Sequence, residues 1–247
     1  MESPTIITVT HNTWGTFTSR LISTLYTYTN STDYSQWFIV DNDSKDGREL
    51  VRASKVFPIP HLLKLSIIHS DKNIGDLPQY NRIIDQFVET EKIICISTDV
   101  RIFRHTIPIM TTLLDYYDMI GVPGPNLPKG AHIPEVGGNW HWVPRLLEDR
   151  YLDFDSTAHI QTHCFGIRKS AFMDVGGFWE PDDENWLDKG NLITGEIMLG
   201  VKLRKAGYRL GICALPVFHY GNTMRSLDEI DEFDRRHGWD VDFPRIL

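Results

Sequence analysis

Four short apolar runs recur in the N-terminal part of the chain: Ile6 to Val9, Trp37 to Val40, Leu65 to Ile68 and Ile93 to Ile96. Each is rich in β-branched residues and apolar without strict alternation, the pattern of strands buried on both faces of a parallel sheet. Between some of these runs the apolar positions fall at helical spacing. Trp14, Phe17, Leu21, Leu25 and Tyr28 share one stripe, and Tyr80, Ile83, Ile84, Phe87 and Val88 share another. Strands alternating with helices predict βαβ units, hence an α/β chain with a mostly parallel central sheet flanked by helices.

The middle of the chain changes character. Residues 121–145 contain Gly121, Gly124, Gly130, Gly137 and Gly138 with Pro123, Pro125, Pro128, Pro134 and Pro144. That density breaks regular structure, and a long irregular stretch inside a compact domain is commonly a functional loop. Regular structure resumes with a strand over His163 to Arg168. A helix follows from about Gly195 to Ala206, with Thr194 as N-cap and Gly207 as its stop, and then a strand near Arg209 to Ala214. The tail from Ser226 onward carries Asp228, Glu229, Asp231, Glu232 and Asp234 and reads as a solvated helical face. No linker divides the chain, so 1–247 is expected to be one domain.

Bulk properties narrow the function classes. A chain of 247 residues with 41% hydrophobic and 23% charged residues is ordinary for a globular protein. A net charge of −8 argues against a nucleic-acid surface, which needs a basic patch. The cysteines, Cys95, Cys164 and Cys213, are odd in number and far apart, and read as reduced thiols. That suits a reducing compartment. The N-terminus has no charged and apolar leader pattern, and no apolar run approaches the ~20 residues of a membrane span. The expected location is cytoplasmic, free or peripheral to a membrane.

Candidate chemistry begins at Phe38-Ile39-Val40-Asp41-Asn42-Asp43-Ser44-Lys45-Asp46-Gly47. An apolar strand ends in an acid at the mouth of an open α/β sheet, where ligands bind and a carboxylate can accept hydrogen bonds from a nucleobase. The run resembles the nucleotide-binding strand of family-two glycosyltransferases, V-D-N-x-S-x-D-G. Further segments resemble that family in the same order. Val9-Thr10-His11-Asn12 is similar to its first strand and loop, where backbone and a hydroxyl meet the nucleotide. Lys72-Asn73-Ile74-Gly75 followed by Tyr80-Asn81 is similar to its N-x-G loop and A-x-N helix, with Tyr80 in place of a small residue. Gly176-Gly177-Phe178-Trp179-Glu180 resembles its G-G-F-x-E turn before the acceptor-side loop. Leu203-Arg204-Lys205-Ala206-Gly207-Tyr208 is the closest local match.

The resemblance implies a GT-A type fold. Residues about 1–104 would form a nucleotide-binding half, about 105–225 an acceptor-binding half and 226–247 a tail. It also implies a divalent cation, Mn²⁺ or Mg²⁺, gripped by a D-x-D or D-D pair after an apolar strand. Here Ile94-Cys95-Ile96-Ser97-Thr98-Asp99 keeps one acid, with Ser97 and Thr98 where partner acids would stand. Asp99 could still ligate a cation if diphosphate and water supply the other oxygens. The bland alternative is that Asp99 caps a helix starting near Arg101. His219, in Val217-Phe218-His219-Tyr220-Gly221-Asn222-Thr223, is the second implied metal ligand. Thr194-Gly195-Glu196-Ile197 resembles the G-E-D segment that carries the general base. Ile197 replaces the usual Asp, so Glu196 is the candidate base, with Asp182, Asp183 and Glu184 in reserve and a first-turn helix acid as its bland role.

The substrate-binding set is therefore expected at Val9, Thr10, Asn12, Asp41, Asn73, Gly75, Thr98, Trp140 and Trp179, the Trp side chains offering aromatic faces to sugar or to the core. The expected reaction is a single inverting displacement. Glu196 deprotonates an acceptor hydroxyl, of a saccharide or another molecule, and that oxygen attacks the anomeric carbon of a nucleoside diphosphate sugar, a UDP-sugar by default. Two other readings remain at this point. One is a binding module that kept the nucleotide cleft and lost the reaction, and the other is a transferase acting on nucleic-acid bases. No G-x-G-x-x-G, G-K-[ST] or zinc-spaced cluster is present.

Overall fold

The computed structural model describes residues 2–45, 64–123, 145–146, 160–178, 195–212, 215, 217–220, 226–236 and 238–239, with backbone alone for 123, 145–146 and 195–197. The N-terminal elements are β1 (Thr5–Thr10), a π-helical turn (Trp14–Thr18), α1 (Ser19–Tyr28), β2 (Gln36–Asn42), β3 (Leu65–Ser70), α2 (Asp76–Gln86) and β4 (Lys92–Ile96). After them come β5 (Val100–Ile102), α3 (Thr106–Leu113), β6 (Met119–Pro123), β7 (Arg145–Leu146), β8 (Ile160–Arg168) and α4 (Lys169–Asp174). The last elements are α5 (Gly195–Lys205), β9 (Leu210–Ile212), β10 (Val217–His219) and α6 (Leu227–Arg236).

Among the described residues the main sheet has eight strands in the order β3-β2-β1-β4-β8-β6-β9-β7. β3, β2, β1 and β4 are mutually parallel, in the registers Trp37↔Leu65, Thr5↔Gln36 and Thr5↔Ile93. The expected parallel α/β sheet is thus present, and its four apolar runs are the four strands anticipated. β8 enters beside β4 in the antiparallel sense, and β6 pairs antiparallel to β8 and parallel to β9. The strands expected over His163 to Arg168 and near Arg209 to Ala214 are β8 and β9, but their mixed sense and order have no counterpart in the sequence pattern.

The continuous apolar runs are explained by burial on both faces. Ile6, Ile39 and Ile94 belong to a cluster with Trp14, Leu21 and Leu25 around α1 and with Met110 of α3. Their neighbours Ile7, Val40 and Cys95 belong to a second cluster with Ile83 of α2, Phe172 of α4 and Leu199 and Leu203 of α5. Alternate side chains feed opposite helical layers, so no strand position can be polar without a partner. Each fully buried side chain of this kind contributes roughly 1.5–3 kcal/mol. Cys95 and Cys164 are buried free thiols, as read from the sequence, and Cys213 lies outside the described residues.

Three expectations need correction. The stripe from Trp14 to Tyr28 is not one α-helix. It opens as a wide turn in which Thr18 N–H bonds Thr13 C=O at 3.0 Å. The side chains of Thr10, Thr13 and Thr18 bond one another there at 2.9 Å, and that hydroxyl triad sets the wider turn. Phe87 lies one residue beyond α2 and is 44% exposed, so it leaves the buried stripe that Ile83, Ile84 and Val88 keep. The acidic tail is not simply solvated. α6 turns Ile230 and Asp234 inward, and only part of its charge faces water.

Candidate functional site

The parallel strands β1, β2, β3 and β4 end at one edge of the sheet, and the loops after them are tied together by asparagines. Asn42 Oδ1 accepts from Ile74 N–H at 3.1 Å and Gln79 Nε2 at 2.7 Å, while its Nδ2 donates to Asn73 Oδ1 at 2.7 Å. Asn73 Oδ1 also accepts Gly75 N–H at 3.0 Å. Asn12, with a left-handed backbone (φ 54°), accepts Lys45 N–H on Oδ1 at 2.8 Å. That bond orients the amide, so its Nδ2 donates to His11 Nε2 at 2.9 Å. His11 then carries its proton on Nδ1 and donates to Asn42 C=O at 2.8 Å. Asn12, Asn73 and Gly75 therefore shape the rim through these bonds.

Above this lattice lies a cavity of about 440 Å³ lined by Val9, His11, Thr13, Phe17, Asp76, Ser97, Thr98, Asp99, Gln161, Thr162, His163 and His219. Of the residues singled out from sequence, Val9, Thr98, Asp99 and His219 line it. Thr10 is buried beneath, with its hydroxyl engaged by Thr13 and Thr18, and Thr13 takes the position at the wall.

Asp41 is where the strand-end argument put it, at the C-terminal end of β2, but it is buried. Its Oδ1 accepts from Trp14 Nε1 and Ser44 N–H, each at 3.2 Å, and its Oδ2 lies 3.2 Å from His69 Nδ1. A carboxylate offers about four acceptor sites, so one remains on Oδ2.

The central contact is between Asp99 and His219. Asp99 is followed by β5, a strand, so the reading of it as a helix cap near Arg101 does not hold. β5 pairs antiparallel with β10, placing His219 opposite Val100. His219 Nε2 lies 2.9 Å from Asp99 Oδ2, joining side chains 120 residues apart. Behind it the His163 ring stacks on the His219 ring, centroids 4.4 Å apart and 4° from parallel. Ser97 N–H donates to His163 C=O at 2.8 Å, fixing that wall to β4.

The sequence reading missed Asp76 and His163 as lining residues. Asp76 opens α2 after Gly75, whose positive φ of 85° turns the chain into the helix. Although Asp76 is exposed at the rim, the protein crowded around it pushes its carboxyl above the ordinary range. The charge of Asp99 adds to this and His11 opposes it. Its helix-start position was visible in the sequence, but such acids are common there for the dipole alone.

Asp99 and His219 are the two side chains that could hold a divalent cation in this pocket. His219 Nε2 and Asp99 Oδ2 are hydrogen-bonded at 2.9 Å, a contact that a bound cation would replace with two bonds to itself. Both side chains reach solvent, at 41% and 19% exposure, so an ion could enter. Among the described residues no group of three or more His, Cys, Asp and Glu is placed to hold a metal, so further oxygens would come from the ligand and water.

Glu196 is the second residue of α5; its side chain lies outside the described residues, as do Trp140, Trp179, Asp182, Asp183, Glu184 and Thr194. The Gly176-Gly177-Phe178 turn is described. Both glycines have positive φ (74° and 67°), and Asn81 of α2 brackets Phe178, accepting its N–H at 2.8 Å and donating to its C=O at 3.0 Å.

The chain has the GT-A glycosyltransferase fold, a mixed central sheet whose parallel half carries the pocket at its C-terminal edge. It is similar to S. aureus TarS in complex with UDP-GlcNAc, with a TM-score of 0.56 and 15% identity over 98% of this chain and 68% of that one. It is also similar to GalNAc-T7 with UDP, GalNAc and Mn²⁺, with a TM-score of 0.62 and 10% identity over 89% of this chain and 44% of that one. Against TarS 1–349 it covers 85% of its own length and spans 57% of that chain. No protein-family model matches the chain, and no curated protein matches it. No described helix is long and apolar enough to cross a membrane.

Proposed function

We propose that the protein transfers a sugar from a nucleoside diphosphate donor, a UDP-sugar by default, to a hydroxyl of a saccharide or other acceptor, with inversion. The observation that carries this reading is the Asp99–His219 contact inside a cavity at the C-terminal edge of the parallel strands. UDP-GlcNAc with TarS and UDP with Mn²⁺ on GalNAc-T7 support the choice of ligand. In this reading Val9, Thr13 and Thr98 line the donor site. Asp41 presents its remaining Oδ2 acceptor site beside His69 to a base N–H, and Thr10, Asn12, Asn73 and Gly75 hold the loops in place. Asp99 and His219 would hold Mn²⁺ or Mg²⁺, which supplies positive charge against the departing diphosphate. Glu196 takes the proton of the acceptor hydroxyl. The hydroxyl oxygen forms the new bond to the anomeric carbon as the bond to the diphosphate oxygen breaks. Trp140 and Trp179 would offer aromatic faces to the sugars.

The test is a thermal-shift series of nucleoside diphosphates and their sugar conjugates, with and without Mn²⁺. Ligand at one hundred times its Kd stabilises the native state by about 2.7 kcal/mol. A shift for one nucleotide family, enlarged by Mn²⁺ and diminished in Asp99→Ala, supports the reading. No shift with any nucleotide at millimolar concentration sinks it. A second reading, a nucleotide-binding module without transfer, is favoured by the lone acid at Ser97-Thr98-Asp99 and by Ile197. It predicts the same shifts with no donor hydrolysis.

A further inference from the structure

His219 and Tyr220 are adjacent, yet they face opposite sides of the β5–β10 ribbon. His219 lines the cavity. Phe218 and Tyr220 turn away from it, as alternation along a strand requires, and Arg101, opposite Phe218 in the register, turns the same way. On that side they meet α6. Phe218 stacks on Phe233 with centroids 5.1 Å apart, and the Tyr220 hydroxyl donates to Asp234 Oδ1 at 2.9 Å. Arg101 pairs with Asp234 Oδ2 and donates to Trp239 C=O at 2.7 Å, its guanidinium lying over the rings of Phe103 and Trp239. The loop is closed by the backbone: Tyr220 N–H donates to Asp99 C=O at 2.9 Å.

A two-stranded ribbon of three residues per strand is marginal alone and needs cover on a face. Here α6 covers one face, while the face that carries His219 toward Asp99 also packs Val100 and Ile102 into the core beside α1. We propose that Tyr220 and Asp234 are positioning residues for the Asp99–His219 pair, so that docking of α6 and cation-assisted nucleotide binding are coupled. This rests on the reading of Asp99 and His219 as cation ligands. Neither Tyr220 nor Asp234 lines the cavity; they fix the ribbon that sets the spacing between the two donors. Coupling of this kind is reciprocal, so a nucleotide held with Mn²⁺ must in turn hold α6 more firmly.

Two measurements test the proposal. The first is hydrogen exchange on the unaltered protein. Amides of residues 227–236 gain protection with UDP and Mn²⁺ together and not with UDP alone. The second is the Mn²⁺ concentration that gives half of the UDP-induced thermal shift. In Tyr220→Phe and Asp234→Asn it rises about tenfold, as loss of a group supporting a metal ligand does, while UDP binding without metal is unchanged. Tyr220→Phe removes one oxygen atom, and its unliganded unfolding curve is the check that it is folded, so it carries the test should Asp234→Asn fail to fold. Unchanged Mn²⁺ dependence in folded variants, or unchanged protection of α6 in the native protein, overturns the proposal. A nucleotide shift with no Mn²⁺ effect in the unaltered protein overturns the cation reading first, and this proposal with it. A Mn²⁺ effect that the variants retain overturns this proposal alone.

Discussion

Arg101→Met is the sharpest test of how the C-terminal helix is held. Arg101 is 0% exposed and Asp234 is 1% exposed, so the substitution strands a carboxylate in the interior. Burial pushes the Asp234 carboxyl above its ordinary range even now, against the pull of Arg101, the Tyr220 hydroxyl and Arg20. After the change Asp234 keeps the Tyr220 hydroxyl at 2.9 Å and Arg20 Nε at 3.7 Å. A pair at that second distance is still worth about 4 kcal/mol at an effective dielectric of about 20. The loss should therefore fall at the low end of the range for breaking a buried pair, about 3 kcal/mol. For a domain of this size that is a fall in Tm of roughly 6–12 °C. Urea unfolding with a parallel thermal scan measures it. The double variant Arg101→Met/Asp234→Asn, with both charges gone, should recover part of the loss, because removing a buried pair costs less than halving it. A single-variant shift under about 2 °C, or a double variant that loses the sum of the two single costs, would refute the reasoning.

Other consequences can be checked with the same instruments. Asn42→Ala removes three side-chain hydrogen bonds and leaves the fully buried Gln79 amide without its acceptor. The expected cost is about 3 kcal/mol by urea unfolding, and a cost below about 1 kcal/mol would mean that the asparagine lattice does not hold the loops. At alkaline pH the fold should weaken. Burial raises the Tyr80 and Tyr220 hydroxyls, with Cys95 adding at Tyr80 and Asp234 at Tyr220. Above the ordinary tyrosine value near pH 10 the unfolded chain releases protons that the folded chain keeps. Stability is then full below that pH and falls above it by about 1.4 kcal/mol per pH unit for each group. Stability flat between pH 9 and pH 11 would contradict this.

Much of the parallel half of the fold could be read from residues. β1 to β4 are apolar runs because each strand feeds two buried layers, and that burial leaves a pattern in the sequence. In the mixed half β8 and β9 were legible as strands but their pairing was not, since nothing local in Ile160–Arg168 states that it runs against β4. At the site, the acids at the ends of β2 and β4 were found by their position after apolar strands. What could not be read was their company. Asp41 meets Trp14 and His69, and Asp99 meets His219, through contacts that only the assembled sheet creates. Asp76 and His163 went unnoticed for the same reason. The tail misled because charge dominated its composition, while Ile230, Phe233 and Asp234 carried a helical period underneath.

The placement of β8 has a consequence for how the chain reaches this structure. β6 is made before β8 and is bonded to β8 and β9 but not to β4. During synthesis, β1 to β4 can assemble with their helices while β6 waits without a neighbour and β4 keeps an open edge. Only when residues near Arg168 emerge can β8 slot between them. Until that moment the nascent chain presents two unpaired apolar edges. Fragments ending before β8 should therefore associate with one another, whereas fragments ending just after it should remain dispersed.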